Sequence, residues 1–493
     1  MSQYYTATDH FTILPALMLA LFGCAVLLFD FVLFPDPRQR KYLLIFVMIA
    51  EAFTGYGLIK QQMYLAGSES LAGFGGSVTI DGSSVFFNWI FIAAAVIVSL
   101  VSYKYLEIAG EHHGEYYALI LFAQCGMYFL AAGTDLVTLF IGLELMALCF
   151  YVMVGFLRTE KRSNEAALKY LLLGAFSTGF LAYGFSLMYG LAGSTKLTVI
   201  ASQIAQRSPW DPVVFLALAT TAIGLLFKIS AVPFHMWAPD AYEGAPTTVT
   251  AYLSVASKAA SVAFLLRIFQ GAEAPFGSVR EVWEPVLSVV AVLTLTLGNL
   301  AAINQTNIKR MLAYSSISHA GYMLLGLIAG PGHGLQGVYV YVLVYTFMNL
   351  GAFLVLVALR RQNIIGEDID DLAGLVHKSP GYAVLMLIFL LSLAGIPPTA
   401  GFIGKYYIFL GLIETGHYTL AIFGVLYVAV AIFYYFKIVR SMFVREELEK
   451  APMATTFGLR FALGLSGVLT LAIGLYPEPF LRLAQASAPA MLP

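Results

Sequence analysis

The chain alternates between long apolar runs and short polar segments along its whole length. A helix that crosses a membrane needs about 20 mainly apolar residues, and fourteen runs approach or exceed this length. They lie at 11–34, 42–65, 83–106, 115–133, 135–157, 165–191, 213–237, 247–269, 285–304, 309–330, 335–359, 381–413, 418–442 and 457–476. No polar segment between them is long enough for a folded soluble domain. The pattern predicts an all-α integral membrane protein in which residues 1–493 form one polytopic domain.

The composition agrees with spans that face lipid. Hydrophobic residues make up 60% of the chain and charged residues 11%, whereas soluble domains carry about 25% charged residues. A dry core could not bury that much apolar surface. The formal net charge of −1 leaves no excess of cations to neutralise phosphates, which argues against a nucleic-acid partner. The first run lacks a preceding basic region and a small-residue cleavage site, so we expect it to be retained as a helix.

The basic residues of the loops are distributed unequally between the two sides of the membrane. Sixteen fall on one side: Arg38, Arg40, Lys41, Lys104, Arg158, Lys161, Arg162, Lys309, Arg310, Arg360, Arg361, Lys378, Arg440, Arg445, Lys450 and Arg460. Four fall on the other side: Lys196, Arg207, Arg280 and Arg482. Cytoplasmic loops carry the excess of positive charge. Because the number of spans is even, both termini are expected outside the cytoplasm.

Seven basic residues remain within the apolar runs, and three of them are close to helix ends: Lys60, Arg267 and Lys437. A long side chain at a helix end can reach the lipid headgroups. Lys169 is about one turn inside the sixth span. Lys228 and Lys258 lie deeper, and Lys405 follows a break in an overlong run. Those last three cannot easily reach water outside the bundle, which makes them candidate functional residues.

Proline interrupts two of the runs at bilayer depth. The seventh contains Pro233, shortly after Lys228, and the twelfth contains Pro397 and Pro398, shortly before Lys405. Proline removes a backbone donor and clashes with the preceding turn, so both helices are expected to unwind there. Unwound backbone at this depth is tolerated only against protein or a wet cavity. A proline near a buried lysine in two separate helices favours a transport site over a kink used only for packing.

The two breaks are five spans apart, which predicts an internal repeat. Because five is an odd number, the second copy must be inserted upside down. Inverted repeats with interrupted helices are typical of ion-coupled transporters. The first copy would occupy 115–270 and the inverted copy 285–442. Residues 1–114 would supply the first three spans, and 457–476 the last.

Glu144 is the carboxylate that we expect to pair with a buried lysine. It lies in the middle of the fifth span with apolar neighbours on both sides. Burial disfavours the charged form of either group, and pairing favours it. Small motions that separate such a pair therefore become proton transfers. Moving one charge across 100 mV costs about 2.3 kcal/mol, which several sites in series can divide among them.

Two histidines and two further carboxylates within the spans are also candidates for a role. His235 is beside the first break and His319 is in the tenth span. A histidine can shuttle protons near neutral pH, but a lone intramembrane histidine also serves as a hydrogen-bonded packing residue, and both alternatives stay open. Asp30, near a helix end, is expected to be structural. Glu51 is deeper and has no evident partner, so its role stays open.

The three cysteines form no recognisable metal or redox motif. Cys24, Cys125 and Cys149 all lie in apolar runs, without a Cys/His spacing suited to zinc, iron–sulfur or haem. No G-x-G-x-x-G motif follows a predicted strand. The sequence therefore predicts neither a metal site nor a cofactor-binding site in this chain.

Three stretches of the sequence carry a family resemblance. They are 227–246, which begins Phe-Lys-Ile-Ser-Ala-Val-Pro-Phe-His, 307–322, which begins Asn-Ile-Lys-Arg-Met-Leu, and 395–405, Gly-Ile-Pro-Pro-Thr-Ala-Gly-Phe-Ile-Gly-Lys. They resemble the antiporter-like subunits of respiratory complex I, the NADH-quinone oxidoreductase. The chain is most similar to the subunit N family, called chain 2 in mitochondria. Lys405 stands where subunit M has a glutamate, the long lateral helix of subunit L is not expected, and fourteen spans indicate a bacterial member.

The resemblance implies a role for each matching residue. Glu144 and Lys228 would form the paired site of the fifth and seventh spans. Lys258 would be the central relay and Lys405 the site at the far half-channel. Lys169 matches a lysine that modulates the pair.

The resemblance also implies a setting for the chain. His235 and His319 match polar positions along the hydrated axis of the family. The family's reaction is NADH oxidation by quinone coupled to proton pumping, with FMN, iron–sulfur clusters and quinone bound by other subunits. The implied partners are other membrane and peripheral subunits, especially subunits M, K and J, and the lipid bilayer. The implied location is the bacterial inner membrane, with both termini periplasmic.

Two other functions stay open. One is a subunit of a multisubunit sodium/proton antiporter, a relative with the same broken helices. The other is a structural membrane subunit that pumps nothing. Genes for peripheral redox subunits beside this one would favour complex I over the sodium/proton antiporter. Substitutions at Lys228 and Lys258 that leave proton pumping by the assembled complex unchanged would favour the structural subunit.

Overall fold

The computed structural model describes residues 6–34, 39–111, 113–271, 273–360, 366–446 and 455–488, most of them helical. The α-helices are α1 Ala7–Val32, α2 Lys41–Leu65, α3 Gly82–Ala109, α4 Gly114–Ala132, α5 Leu136–Val154, α6 Lys161–Ala192, α7 Leu197–Ala205, α8 Pro212–Lys228, α9 Trp237–Gly244, α10 Thr247–Tyr252, α11 Lys258–Phe269, α12 Arg280–Ile303, α13 Ile308–Ala329, α14 His333–Leu359, α15 Leu375–Lys378, α16 Pro380–Ala394, α17 Ala400–Glu414, α18 Tyr418–Val444, α19 Phe457–Leu475 and α20 Glu478–Ser487. Short 3₁₀ turns lie at Phe74–Gly76, Gly277–Val279 and Ile369–Leu372. A π-helical turn, Leu253–Ser257, joins α10 and α11 into one helix.

The predicted all-α membrane fold is confirmed. In the described part of the chain, twelve helices are long and apolar enough to cross a membrane without interruption. The other two predicted spans, the seventh and the twelfth, are the ones in which proline breaks the helix. The seventh consists of α8 and α9, and the twelfth of α16 and α17. The predicted bounds agree with the helices to within a few residues, except that the seventh span continues to Gly244.

A β-hairpin covers one end of the bundle. Strands β1, Ser70–Gly73, and β2, Val78–Asp81, pair antiparallel with Ser70 opposite Asp81. Val78 also bridges to Gly133, directly after α4. The sequence predicted no strand in this segment between the second and third spans, because four-residue strands are too short to display a clear period of two. We call this end, where α1 begins and α2 ends, the hairpin face, and the opposite end, where α6 and α13 begin, the basic face.

Two groups of five spans pack in the same order and run in opposite directions. In the first group α4 packs on α5, and α6 packs on α8, the first arm of the broken span. In the second group α12 packs on α13, and α14 packs on both arms of the broken span, α16 and α17. The first group begins at the basic face and the second at the hairpin face. This is the arrangement expected of an inverted repeat, with its two breaks in corresponding positions.

Side-chain caps determine where two functionally relevant spans begin. Asp135 accepts hydrogen bonds from two backbone N–H groups in the first turn of α5. Asp211 does the same for α8, whose first residue is Pro212. These caps satisfy N–H groups that have no partner within the helix, and proline is favoured at the first position because it lacks one. They fix the starts of the helices that carry Glu144 and Lys228.

Two basic residues near helix ends bind other parts of the protein. Arg267 lies 2.6 Å from the carboxylate of Asp81 and donates to the Ala131 carbonyl at 2.8 Å, which ties α11 to β2 and α4. Lys437 donates to the Gln305 carbonyl at 2.8 Å, just beyond α12. Three of the predicted loop cations lie outside the described residues: Arg38, Arg361 and Lys450.

Candidate functional site

The seventh span is broken directly after Lys228. α8 ends at Lys228 and α9 begins at Trp237, with Pro233 between them. The Thr294 hydroxyl accepts a hydrogen bond from a backbone N–H of the break at 3.0 Å. The Trp237 indole donates to the Phe227 carbonyl at 2.9 Å. These bonds replace part of the helical bonding that the break removes, as bilayer depth requires.

Residues of this break face different surroundings. Lys228 is 4% exposed, whereas Pro233 is exposed at the protein surface. His235 is partly exposed, and its Nδ1 has no hydrogen-bond partner among the described residues. In the same ranges, no hydrogen bond joins His235 to a buried lysine, so the predicted relay role of this histidine stays a prediction.

The ammonium group of Lys228 contacts aromatic side chains. It lies 3.5 Å from the Tyr151 hydroxyl and 6.0 Å from the centre of the Phe227 ring. Glu144, seven residues before Tyr151 on the same face of α5, accepts a hydrogen bond from the Thr178 hydroxyl at 2.8 Å. Glu144 and Lys228 interact electrostatically, but no described ion pair within 4.0 Å joins them. The two predicted partners therefore form no direct ion pair in this structure, and Tyr151 is the residue in contact with Lys228.

Gly174 on α6 makes room for the Tyr151 hydroxyl. A Cβ atom at this position would lie 2.0 Å from that oxygen. We therefore expect Gly174→Ala to displace Tyr151 from Lys228 and to slow any proton transfer between them. The measurement is the rate of proton uptake or release by the assembled protein. The matched control is Gly179→Ala on the same helix, where no atom lies within 4 Å of the added carbon, and equal rates in the two variants would contradict the expectation.

Lys169 lies at the basic face and contacts the second arm of the broken span. Its side chain is 47% exposed, and its ammonium group lies 2.8 Å from Glu165 and 3.0 Å from Asp240 of α9. Arg310 also pairs with Asp240, at 2.8 Å. Lys169 thus joins α6 to α9, the second arm of the span that carries Lys228.

Lys258 is buried in the centre of the protein. It begins α11, directly after the π-helical turn Leu253–Ser257, and is 1% exposed. Single π turns inside helices are frequent at functional sites. The ammonium group donates to the carbonyl and the hydroxyl of Ser316, both at 2.5 Å. The Tyr345 hydroxyl donates to the Ser316 hydroxyl at 2.7 Å, and the Tyr242 hydroxyl lies 3.3 Å from the same Ser316 Oγ.

His319 continues this network of hydroxyl groups. Its Nδ1 lies 2.5 Å from the Tyr341 hydroxyl and its Nε2 lies 3.3 Å from the Tyr435 hydroxyl. Its ring is centred 5.0 Å from that of Tyr345, which contacts the Lys258 site. The structure thus places His319 beside the central lysine, with a tyrosine at each ring nitrogen.

The break of the twelfth span has the same plan as the first. α16 ends just before Gly395, which has a φ of +85°, and Pro397 and Pro398 are exposed. Beyond them, the N–H of Gly401 donates to the Ser392 hydroxyl at 3.0 Å. The glycine supplies the left-handed conformation that ends the first arm.

Lys405 reaches back from α17 to the end of α16. Its ammonium group donates to the carbonyls of Leu393 and Ala394 at 3.0 and 2.9 Å, and it lies 4.7 Å from the centre of the Tyr322 ring. The carbonyls at a helix C-terminus lack partners within the helix and carry partial negative charge. They stabilise the cation without a carboxylate.

Hydroxyl and aromatic side chains surround the buried charged residues, and sequence analysis assigned them no role: Tyr151, Tyr242, Ser316, Tyr322, Tyr341, Tyr345 and Tyr435. Tyrosine in membrane helices is usual near the headgroups, so these residues did not stand out. One signal was available in the spacing of Tyr341 and Tyr345, which places two hydroxyl groups on one face of a largely apolar span.

No metal site is evident in the described ranges, where no group of three or more His, Cys, Asp or Glu side chains could hold an ion. Cys24 is exposed, and Cys125 and Cys149 are buried as free thiols. No cofactor or metal role is assigned to them.

Comparisons with known proteins place these features in a family. Residues 133–431 match the family described as NADH:quinone oxidoreductase/Mrp antiporter, TM. NADH-quinone oxidoreductase subunit N 2 of Solibacter usitatus is 78% identical over 99% of both chains, and subunit N 1 of Koribacter versatilis is 54% identical over 97% of this chain and 95% of its own. A chain of respiratory complex I from Thermus thermophilus superposes with a TM-score of 0.78 at 32% identity, over 96% of this chain and 99% of its own. A chain of the Mrp complex from Dietzia has the same fold, with a TM-score of 0.81 at 20% identity over 98% of this chain and 97% of its own.

Proposed function

Because this chain belongs to the subunit N family of NADH-quinone oxidoreductase, the antiporter-like membrane subunits of respiratory complex I, we propose that it moves protons across the membrane through its buried glutamate and lysines. Electron transfer from NADH to quinone takes place in other subunits, which hold the FMN, the iron–sulfur clusters and the quinone. The chain contributes translocation only.

The observation that carries this proposal is the environment of three buried lysines. Lys228, Lys258 and Lys405 are each at most 4% exposed, and within the described ranges no carboxylate lies within 4.0 Å of any of them. A buried cation without a counter-charge is costly. Hydroxyl and carbonyl partners lower that cost without fixing the proton permanently. Such lysines can hold a proton and release it again.

Polar side chains beside the buried lysines support a route between the sites. On one side, Tyr151, on the same helix as Glu144, contacts Lys228. Ser316 binds Lys258, and Tyr242 contacts the Ser316 hydroxyl. No described hydrogen bond joins Lys228 to Tyr242, so the proposed route requires water at that step. The route divides the charge movement into several short steps.

The second half of the route leads from Lys258 to the twelfth span. Tyr345 lies against Ser316 and His319, and Tyr341 bonds to His319. The Tyr341 ring is centred 6.1 Å from that of Tyr322, over which the Lys405 ammonium lies. Tyr345 contacts His319 through its ring, and Tyr322 contacts Tyr341 and Lys405 through its ring, so the proposed route requires water at these steps. α17 then runs from Lys405 to the hairpin face, where the far half-channel would open.

The chain is oriented with its basic face in the cytoplasm and its termini on the periplasmic side of the bacterial inner membrane. The excess of Lys and Arg in the loops of the basic face supports this orientation. The subunits that adjoin the chain are subunit M and the small subunits K and J.

A subunit of a sodium/proton antiporter is the alternative function. The Mrp chain shares the fold at 20% identity, which carries no information about the transported ion. The much higher identity to subunit N chains favours the complex I function.

Lys228→Met tests the proposal in the assembled complex, reconstituted into proteoliposomes. We expect fewer protons translocated per NADH oxidised, because the group that exchanges a proton with Tyr151 is gone while the side-chain volume is similar. The matched control is Lys60→Met, which removes an exposed cation that lies over the Tyr56 ring. An unchanged proton-to-NADH ratio in the Lys228 variant would show that this chain is a structural subunit.

A further inference from the structure

Glu51 is a buried carboxyl group outside both repeats. It lies in the middle of α2, is 3% exposed, and accepts a hydrogen bond from the Gln124 amide of α4 at 3.1 Å. No ion pair involving Glu51 occurs among the described residues, and none of their cations interacts with it electrostatically. A bare carboxylate in this position would be very costly. The position therefore calls for a neutral, protonated side chain.

Two unsatisfied oxygen atoms support the presence of that proton. Glu51 Oε1 and Gln124 Oε1 are both buried, and neither has a hydrogen-bond donor among the described residues. A proton on Glu51 removes the first deficiency at once, because the hydroxyl becomes a donor. Directed at the Gln124 oxygen, it would complete a reciprocal acid–amide pair and remove the second.

A line of polar groups leads from this pair to the hairpin face. Tyr128 follows Gln124 by one turn of α4 and donates to the Thr12 carbonyl. The Gln61 amide of α2 donates to the Tyr128 hydroxyl at 3.2 Å and to the same Thr12 carbonyl at 3.2 Å. The Thr12 hydroxyl donates to the Asp9 carbonyl at 2.8 Å, in the first turn of α1. One helical turn, about 6 Å, separates Gln124 from this line.

Glu51 also adjoins the helix of the central lysine. It interacts electrostatically with Tyr252, which is the last residue before the π-helical turn Leu253–Ser257. Lys258 follows that turn directly. A change of charge at Glu51 would therefore act on the segment that positions Lys258.

We propose that Glu51 is a second proton-exchanging site of this chain, connected to the hairpin face through Gln61, Tyr128 and Thr12. In the exchange the O–H bond of the Glu51 carboxylic acid breaks and the proton forms a new O–H bond with a water molecule, which carries it along the polar line to the hairpin face. The carboxylic O–H bond forms again when water returns a proton. Gln124 is the positioning residue that donates to the carboxyl group in both states. This inference rests on the proposed function, because protons move through the chain only if it translocates them.

Infrared difference spectroscopy of the reconstituted complex, recorded with and without NADH-driven turnover, tests the exchange. The carbonyl band of a protonated carboxylic acid is expected to change on turnover in the parent complex and in Thr54→Val, one turn away on α2. The part of this change that comes from Glu51 is expected to be absent in Glu51→Gln. A difference band in the carboxylic-acid region that is the same in the parent and in Glu51→Gln would overturn the proposal, because a purely structural carboxyl group makes no contribution that turnover changes.

A second variant keeps the test valid if Glu51→Gln does not assemble. Gln124→Met removes the amide donor and leaves the carboxyl group in place, so the Glu51 band is expected to shift in frequency and not to vanish. A band unmoved by Gln124→Met would also overturn the proposal. Normal proton pumping in the Lys228→Met complex would refute the proposed function alone, whereas loss of pumping there without a Glu51 band would refute this inference alone.

Discussion

Replacement of Lys258 by Met in the assembled complex is expected to lower the number of protons translocated per NADH oxidised. The loss is expected to be larger than that caused by replacing a lysine at the surface or in a loop. Lys258 is the central group of the route, and its ammonium group donates hydrogen bonds to the carbonyl and the hydroxyl of Ser316. Removal of a positioned proton-transfer group slows that step about 10²-fold or more. Proton uptake per NADH in proteoliposomes measures the effect.

The fold is expected to tolerate this change. Met has a volume similar to that of Lys, and replacement of a buried charge by an apolar group of like size is often neutral or stabilising. Tyr345 and Tyr242 keep Ser316 as their partner. The control is Lys437→Met, which removes a cation bound to a loop carbonyl near a helix end. If both variants pump as the parent does, Lys258 is not on the route.

Gly395→Ala is expected to damage both stability and pumping. Gly395 has a φ of +85°, and a left-handed conformation costs a non-glycine residue about 1–2 kcal/mol. The added Cβ atom would lie 2.8 Å from Lys405 Cδ and 3.1 Å from its Nζ. The lysine must move, and its hydrogen bonds to Leu393 and Ala394 are then lost. We expect a lower unfolding temperature of the purified complex and a lower proton-to-NADH ratio.

A second glycine serves as the control for Gly395→Ala, because it tests whether an added methyl group alone affects the protein. Gly464 lies in α19, and no atom is within 4 Å of a Cβ atom built there. Gly464→Ala is therefore expected to leave both the unfolding temperature and the ratio unchanged. If Gly395→Ala behaves in the same way, the close approach of Gly395 and Lys405 has no functional consequence.

The spans and their breaks could be predicted because each rests on a local property of the chain. A run of apolar residues has one stable arrangement in lipid, a helix, and proline removes a backbone donor wherever it occurs. Pro233 and Pro398 therefore located both breaks correctly. The hairpin of β1 and β2 was missed, because its four-residue strands are too short to display a clear period of two.

The partners of the buried lysines could not be predicted for a related reason. Ser316 is 58 residues from Lys258, and the carbonyls that bind Lys405 belong to the other arm of its own broken span. A carbonyl or hydroxyl group has no distinctive sequence pattern, whereas a carboxylate in an apolar run does. The sequence consequently directed attention to Glu144, which in the structure is bound by Thr178 and lies in no described close pair with Lys228.

The position of Lys169 also depended on tertiary structure. Its depth was intermediate, and the family resemblance implied a lysine that modulates the buried pair. The structure places it at the basic face against Asp240 of α9. α9 is the second arm of the seventh span and continues beyond its predicted end. It brings Asp240 to the Lys169 side chain of α6. A modulating role for Lys169 stays a prediction.

The most direct test of a single lysine relay compares Lys258→Met and Lys405→Met with the double variant that combines them. Groups that act in series are non-additive, because a route blocked at one point cannot be blocked again. The relay predicts that the double variant loses no more protons per NADH than the more impaired single variant. Losses that add in the double variant would mean that the two lysines serve separate routes, and would contradict the relay.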